Sequence, residues 1–425
     1  MSTVHHDMRH AAPSFENDLR STLQAFRSSL ATLITSMDAD PTRPQEMSRE
    51  FGLDKSLAWK ISRVVCDEDP MASAVLIPGR PGINIVVRQF HKAGASSERV
   101  EEMRESFDAF ERMIETHCGD RDTFVMMIGE RQGERKQQSE EALRKKAFQG
   151  NSAIWGVQTR ARISAHFLGP SRDQGDMLDL ATVSGLVDFR RLRSDVPWAV
   201  ATVHRYLDDG SSASRLPYEP LDPSSPADRA PLVRRFCSTP EPALRVAAGA
   251  DRVTRYEIPE GPVGKTGSVT CVTGWINRAD VCRYRTEHDQ YGELLAALNT
   301  PAELSQHDLF VHRDLTEALP PSVHLYSQMP GAPTYPTCGR DRGELPLSEA
   351  LVELDTSRIG DDREDFEASE LAGSRRLALF TAERLGWKLE DFVGYRITLR
   401  YPPIPTILVF RYELVERPAG TLGPR

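Results

Sequence analysis

The sequence predicts an α+β chain: an N-terminal all-helical domain followed by a large, mixed, β-rich domain. Three observations carry this. Apolar residues recur at three- and four-residue steps over 14–37 (Phe15, Leu19, Leu23, Phe26, Leu30, Ile34, Met37) and again from Val100 through Met103, Phe107 and Phe110 to Ile114, which is the period of a half-buried helix. From Val157 the period changes to two, with Val157, Thr159, Ala161, Ile163, Ala165 and Phe167 alternating with more polar residues, as on a half-buried strand. Near the end, Tyr395, Ile397, Leu399 and Tyr401 alternate with Arg396, Thr398 and Arg400, and the run 406–414 is apolar on both faces as far as Arg411. The expected division is a disordered tail 1–13, a helical domain 14–150, and an α+β body 151–425 that senses a ligand or forms an oligomer.

Taken in order, the long helix over 14–37 ends at Ala39-Asp40-Pro41. The acidic break Cys66-Asp67-Glu68-Asp69-Pro70 is followed by a helix over 83–93 that Gly94 closes. Ser97 is the expected cap of the next helix. The segment 134–146 mixes both charge signs and reads as a solvated helical face. Strands are expected from about Ile154. Residues 179–192 fit neither period cleanly, and 198–207 suggests a strand. The Pro-, Ser- and Gly-rich stretch 208–249 reads as a long irregular connection. A hairpin is expected over 252–275, turning at Gly261-Pro262-Val263-Gly264. Residues 309–311 suggest a short strand, 327–345 a loop, and 370–385 a helix closed by Gly386. Residues 406–414 should lie centrally in a sheet.

The most specific stretch is 42–65, TRPQEMSREFGLDKSLAWKISRVV. Thr42 and Gln45 offer a capping box, with Pro44 in the first turn, where its missing N–H costs little. Met47 and Phe51 are apolar and four apart. Gly52 suits the left-handed conformation that stops a helix, and Leu53 tucks under the turn. Asp54 can cap a second helix whose inner face is Leu57, Ala58, Ile61 and Val64 or Val65. Its outer face carries Lys55, Ser56, Trp59, Lys60 and Arg63.

This pattern resembles the helix-turn-helix of bacterial transcriptional repressors over these two dozen residues. Met47, Phe51, Leu53, Ala58 and Ile61 fill the apolar sites and Gly52 the turn. Ser48 stands where the motif usually has Ala, and Ala58 where it has Ile or Val. The resemblance implies that the second helix enters the major groove, with Lys55, Ser56, Trp59, Lys60 and Arg63 facing double-stranded DNA.

Composition bounds the rest. A formal net charge of -9 argues against a chain coated in nucleic acid, while allowing a small DNA-reading domain on an acidic body. No apolar run is long enough to span a membrane, and the N-terminus lacks the hydrophobic core of a signal peptide. The six cysteines are scattered without CxxC or zinc spacing, which suggests reduced thiols in a cytoplasm.

Three chemical signals need weighing. Gly261-Pro262-Val263-Gly264-Lys265-Thr266 looks like a phosphate loop, but Pro259 replaces its first glycine and the following residues are strand-like. His312-Arg313-Asp314-Leu315 matches the kinase catalytic-loop tetrapeptide, but Leu319 stands where the metal-binding Asn belongs. The pairs His288-Asp289 and His307-Asp308, with His312 and Asp314, crowd His and Asp into 288–314. His307, His312 and Asp314 are the metal candidates among them, although neighbours on a strand point to opposite faces. The expectation is a cytoplasmic, homo-oligomeric DNA-binding regulator, open to a small-molecule effector and needing no cofactor. The alternatives are a self-assembling scaffold with a helical interaction module, or an enzyme using the His and Asp residues of 288–314.

Overall fold

The computed structural model describes residues 14–129, 133–203, 218–226, 229–238, 242–248, 254–286, 290–332, 343–356 and 373–417. The expected tail 1–13, the pair His288-Asp289 and much of 208–249 and 327–345 lie outside them. The fold is α+β, and the chain divides into two compact units between Ser139 and Glu140, earlier than the boundary expected at 150.

The first unit is helical: α1 (Phe15–Thr35), α2 (Pro44–Glu50), α3 (Lys55–Cys66), α4 (Pro70–Ala74), α5 (Arg80–Lys92), α6 (Ser97–His117) and α7 (Arg121–Gly129). Its single core is apolar. Leu19, Leu23, Phe26, Leu30, Leu33 and Ile34 of α1 share it with Val100, Met103, Phe107, Phe110 and Ile114 of α6. Phe26 packs on Phe107 with ring centroids 5.6 Å apart, and Phe110 meets Phe124 edge-on at 5.5 Å. Ser29 and Ser106 hydrogen-bond at 2.6 Å across the helix pair. The cap of α6 is Ser96, one residue before the expected Ser97, and it accepts from the Arg99 N–H.

The second unit begins within α8 (Gly133–Trp155), which runs to the residue before Gly156. The first strand therefore starts at Val157, after the expected Ile154. The charged segment 134–146 is not wholly solvated: Arg144 is nearly buried and holds Glu140 and Glu349, each at 2.5 Å.

The strands are β1 (Val157–Pro170), β2 (Met177–Arg191), β3 (Trp198–Val203), β4 (Glu219–Pro220), β5 (Arg245–Ala248), β6 (Thr254–Ile258), β7 (Val269–Cys282), β8 (Tyr291–Leu298), β9 (Ala302–His312), β10 (Ser322–Ser327), β11 (Glu344–Leu345), β12 (Val352–Leu354), β13 (Phe392–Arg400) and β14 (Thr406–Glu413), with α9 (Ser374–Leu385) before β13. They form a seven-stranded sheet in the order β12-β13-β9-β1-β2-β7-β4, a four-stranded sheet β11-β10-β14-β8, and a three-stranded sheet β3-β6-β5. The β1–β9 pairing is parallel; the other ladders are antiparallel. One face of the large sheet packs under α9, where Phe167 stacks on Phe310 at 4.3 Å. Its other face shares a core with the four-stranded sheet through Leu168, Leu309, Ile397, Leu408 and Phe410.

β14 lies between β10 and β8, and Val409 is fully buried, as the apolar run 406–414 implies. The segment 179–192, ambiguous in sequence, belongs to the long strand β2 except for its last residue, Leu192, which lies just beyond the strand. The hairpin expected over 252–275 does not form, because β6 and β7 belong to different sheets. The intervening segment is instead tied to Arg191, which is almost fully buried at the end of β2. Its guanidinium donates to the carbonyls of Val196 and Pro259, and its own carbonyl accepts from the Gly264 N–H. These bonds pin 259–264 against β2 instead of closing a turn between neighbouring strands.

Candidate nucleic-acid interface and the buried histidines

The α2–α3 pair is built by local bonds. The expected capping box is absent: Thr42 donates its N–H and Oγ1 to Asp40 at 2.8 and 2.7 Å, and α2 starts at Pro44 without a side-chain cap. Asp40 competes successfully because it reaches the two donors through a two-residue turn. Gly52 has φ +64° and ends α2. Ser48, the departure from the repressor pattern, has a role of its own: its hydroxyl donates to the Leu53 carbonyl at 2.8 Å, while the Leu53 N–H donates to the Ser48 carbonyl at 3.1 Å. The turn is stitched from both sides, with Leu53 buried beneath it. Asp54 caps α3, accepting from the N–H groups of Ser56 and Leu57. Arg27 of α1 clamps the other end by donating to the carbonyls of Val65 and Asp67 at 3.0 and 2.7 Å.

α3 is thus fixed at both ends with one face turned out. Ala58, Ile61 and Val64 are fully buried, and Leu57 is half-buried against the same core. Lys55, Ser56, Trp59 and Lys60 are exposed, Trp59 at 48%. Arg63 is half-buried and bound to Asp67 at 2.8 Å. Four of the five expected DNA-facing side chains therefore share an open face, and the fifth is held by an acid one turn on.

The histidines of the body are interior groups. His307 is fully buried on the face of β9 that meets the four-stranded sheet. Nδ1 is 2.7 Å from Ser164 Oγ and Nε2 is 2.7 Å from Ser305 Oγ, so both ring nitrogens are engaged. Burial pushes its pKa down to about 3, and the Arg162 guanidinium, which donates to the Ala297 carbonyl at 2.9 Å, acts in the same sense. His166 lies on the same face of β1 as Ser164. Its ring nitrogens make no well-formed hydrogen bond among the described residues, and burial pushes its pKa down to about 4 against the pull of the Leu295 backbone.

Asp308, the neighbour of His307, faces the α9 side instead, as strand alternation requires. It takes a two-pronged ion pair from Arg396 at 2.7 Å for each prong, and the Gln306 amide donates to it at 3.1 Å. Arg396, expected on the polar face of its strand, is only 7% exposed because of this partner, whereas Thr398 and Arg400 beyond it face outward. A cavity of about 20 Å³ beside Gln306 and Asp308 is bounded by Phe167, Phe310, Ser374 and Leu377, room for one water and not for an effector.

His312 packs between Trp387 and Phe392, with centroids 4.3 and 5.5 Å away. Its Nδ1 accepts from the Asp314 N–H at 3.2 Å and lies 3.7 Å from that residue's carboxylate. Burial lowers its pKa, against the pull of Asp314 and Asp391. The structure thus separates His307 from the other two metal candidates: His307 is saturated by serines on one face, while His312 and Asp314 lie together beyond the other. Among the described residues no three His, Cys, Asp or Glu side chains gather into a site that could hold a metal ion. A wider, open groove of about 600 Å³ runs along β10 and β11, lined by Pro321, Val323, Leu345, Leu347 and Leu351 with Glu344 and Glu349.

Sequence reasoning missed the turn-stitching role of Ser48, the clamp by Arg27 and the Asp308–Arg396 pair. Of these only Ser48 left a local signal, as a polar residue at an apolar position. Among the described residues no helix is long and apolar enough to cross a membrane. Neither a family model, nor a curated protein, nor a solved structure matches this chain.

Proposed function

We propose that this protein is a cytoplasmic DNA-binding regulator in which α2 and α3 form a helix-turn-helix and α3 reads the major groove. The β-rich body would serve sensing or self-association. The observation that carries the reading is the division of α3: Ala58, Ile61 and Val64 inward, Lys55, Ser56, Trp59 and Lys60 outward, with a capped, stitched turn holding that face. Lys55 adds to it. A cation in the first turn opposes the helix dipole and costs α3 roughly 0.3–1 kcal/mol, so its placement favours a phosphate partner over helix stability. Trp59 is suited to a sugar or a thymine methyl.

The test is titration of mixed-sequence duplex DNA into the full-length protein across a salt series, followed by fluorescence anisotropy. Binding should weaken with salt, and Lys55→Ala or Lys60→Ala should each flatten the log–log slope by about one unit. Stability of both variants should stay within about 0.5 kcal/mol of the parent. Absence of binding at low salt would end this reading.

A self-assembling scaffold is the second reading. Exposed Val125, Met126 and Met127 on α7 favour it, as do, separately in the other unit, Ile154 and Trp155 at the end of α8, since neighbouring exposed apolar side chains mark contact surfaces. A large particle whose size is insensitive to salt in light scattering would support it over the regulator.

A further inference from the structure

Two cysteines of the body, Cys237 and Cys271, lie on neighbouring segments of one buried cluster, and the regulator reading does not use them. Cys237 follows the short turn of 3₁₀ helix at Arg234–Phe236, and this segment lies along β7. The Val233 N–H donates to the Val272 carbonyl at 2.9 Å, and the Ser238 N–H to the Thr270 carbonyl at 2.9 Å. Those bonds bracket Cys271. The Cys237 sulfur accepts from the Val272 N–H at 3.4 Å. Cys271 is fully buried, Cys237 is half-buried and packs against the same cluster, and both are free thiols.

We propose that Cys237 and Cys271 form a reversible disulfide when the protein meets a peroxide, making this pair an oxidation site that ties 229–238 to β7. The Cys237 sulfur attacks one peroxide oxygen. The O–O bond breaks, the leaving hydroxide is protonated to water, and Cys237 becomes a sulfenic acid. The Cys271 sulfur then attacks the Cys237 sulfur; the S–O bond breaks, and the departing hydroxide takes the Cys271 proton and leaves as a second water. Two thiols and one hydrogen peroxide give one disulfide and two waters; the sulfurs lose two electrons and the peroxide oxygens gain them.

The roles follow from position. Cys237 is the less buried of the two. A hydrogen bond from the Cys271 thiol lowers its pKa, the Val272 N–H helps, and burial and the Asp222 carboxylate oppose. Cys271 is shifted well upward, because ionising it would break its bond to Cys237 and because it is buried, so it waits as the resolving thiol. Burial pushes Cys66 and Cys118 upward too, away from reactivity.

The experiment treats the full-length protein with hydrogen peroxide, denatures it, alkylates free thiols and maps the peptides without reduction. The reduced protein alkylates at all six cysteines. Oxidation should remove two, leaving six minus two, or four, with one cross-linked species joining the peptides of Cys237 and Cys271. Dithiothreitol should restore all six. Cys237→Ser should abolish the cross-link, and Cys271→Ser should leave a sulfenic acid at Cys237 that dimedone traps. If Cys271→Ser does not fold, the wild-type peptide map decides by itself. Retention of both thiols while other cysteines oxidise, or a cross-link joining a different pair, would overturn the proposal.

Discussion

The helical unit and the β-rich body solve the same problem with different interiors. The core around α1 and α6 consists almost wholly of Leu, Ile, Val, Phe and Met, and the polar side chains buried among the described residues of that unit, Ser29, Ser62 and Ser73, are uncharged. The body buries Ser164, His166, His307, Asp308 and Arg396 within its large sheet. An apolar core tolerates loss gradually, whereas a polar one depends on each partner being present, since an orphaned buried charge bears its full desolvation penalty. The body is therefore the more brittle half, and three measurements can break or sharpen that contrast.

The largest effect is expected at the Asp308–Arg396 pair. Arg396→Ala leaves a buried carboxylate alone and should cost about 3–5 kcal/mol, whereas replacing both members with apolar residues of similar volume should recover most of the loss. Urea unfolding monitored by a sheet-specific signal decides this. If the single variant costs as little as a surface change, the pair is not an interior element. In the helical unit, Ile61→Ala empties a fully buried position on α3. It should cost about 2–5 kcal/mol, with no partner whose removal could restore stability. A melt of helical circular dichroism reports it, and an unchanged melting temperature would move α3 off the core.

The smallest of the three is a pH dependence carried by two buried histidines of the body. His166 and His307 have folded pKa values of about 4 and about 3, below the ordinary 6.5. Below pH 6.5 the unfolded chain binds protons that the folded chain refuses, so stability falls as pH falls. The loss begins near 6.5 and continues to about 4 for His166 and about 3 for His307. At pH 5 it amounts to about 2 kcal/mol for each histidine. His166→Leu gives up only a polar contact with the Leu295 backbone, so it should be near neutral at pH 7 and remove about half the slope. An unaltered acid profile for that variant, measured by urea titrations at several pH values, would show that His166 stays accessible to protons when folded.

The same contrast explains what could be read from the sequence. In the helical unit, each inward residue of α3 is specified by neighbours three or four positions away, so Ala58, Ile61 and Gly52 could be placed from local pattern. The error there was also local: Asp40 outcompeted the expected cap, and both contenders lie within a few residues. In the body, Arg396 follows a polar alternation that should turn it outward, and only Asp308 on another strand turns it into an interior residue. His307 looked like a ligand until Ser164 and Ser305 occupied both its nitrogens. The turn signal at 261–264 was genuine, but turn residues do not say which strands will pair, and the loop is tied to Arg191 instead. For the candidate interface, the exposed face of α3 was legible, while the engagement of Arg63 by Asp67 depended on how the helix ends.

The parallel ladder between β1 and β9 has a consequence in time. Ala161 pairs with Leu304, so the middle of the large sheet waits for a strand more than a hundred residues downstream. Closing so long a loop is entropically slow, whereas helices linked by short turns assemble quickly. β1 can first zip to nearby β2. Until β9 arrives, its other edge, which includes Phe167 and Leu168, stands as an open template for any strand that finds it. Until then another copy of the chain can compete for that edge, and the wait lengthens with the distance along the chain from β1 to β9.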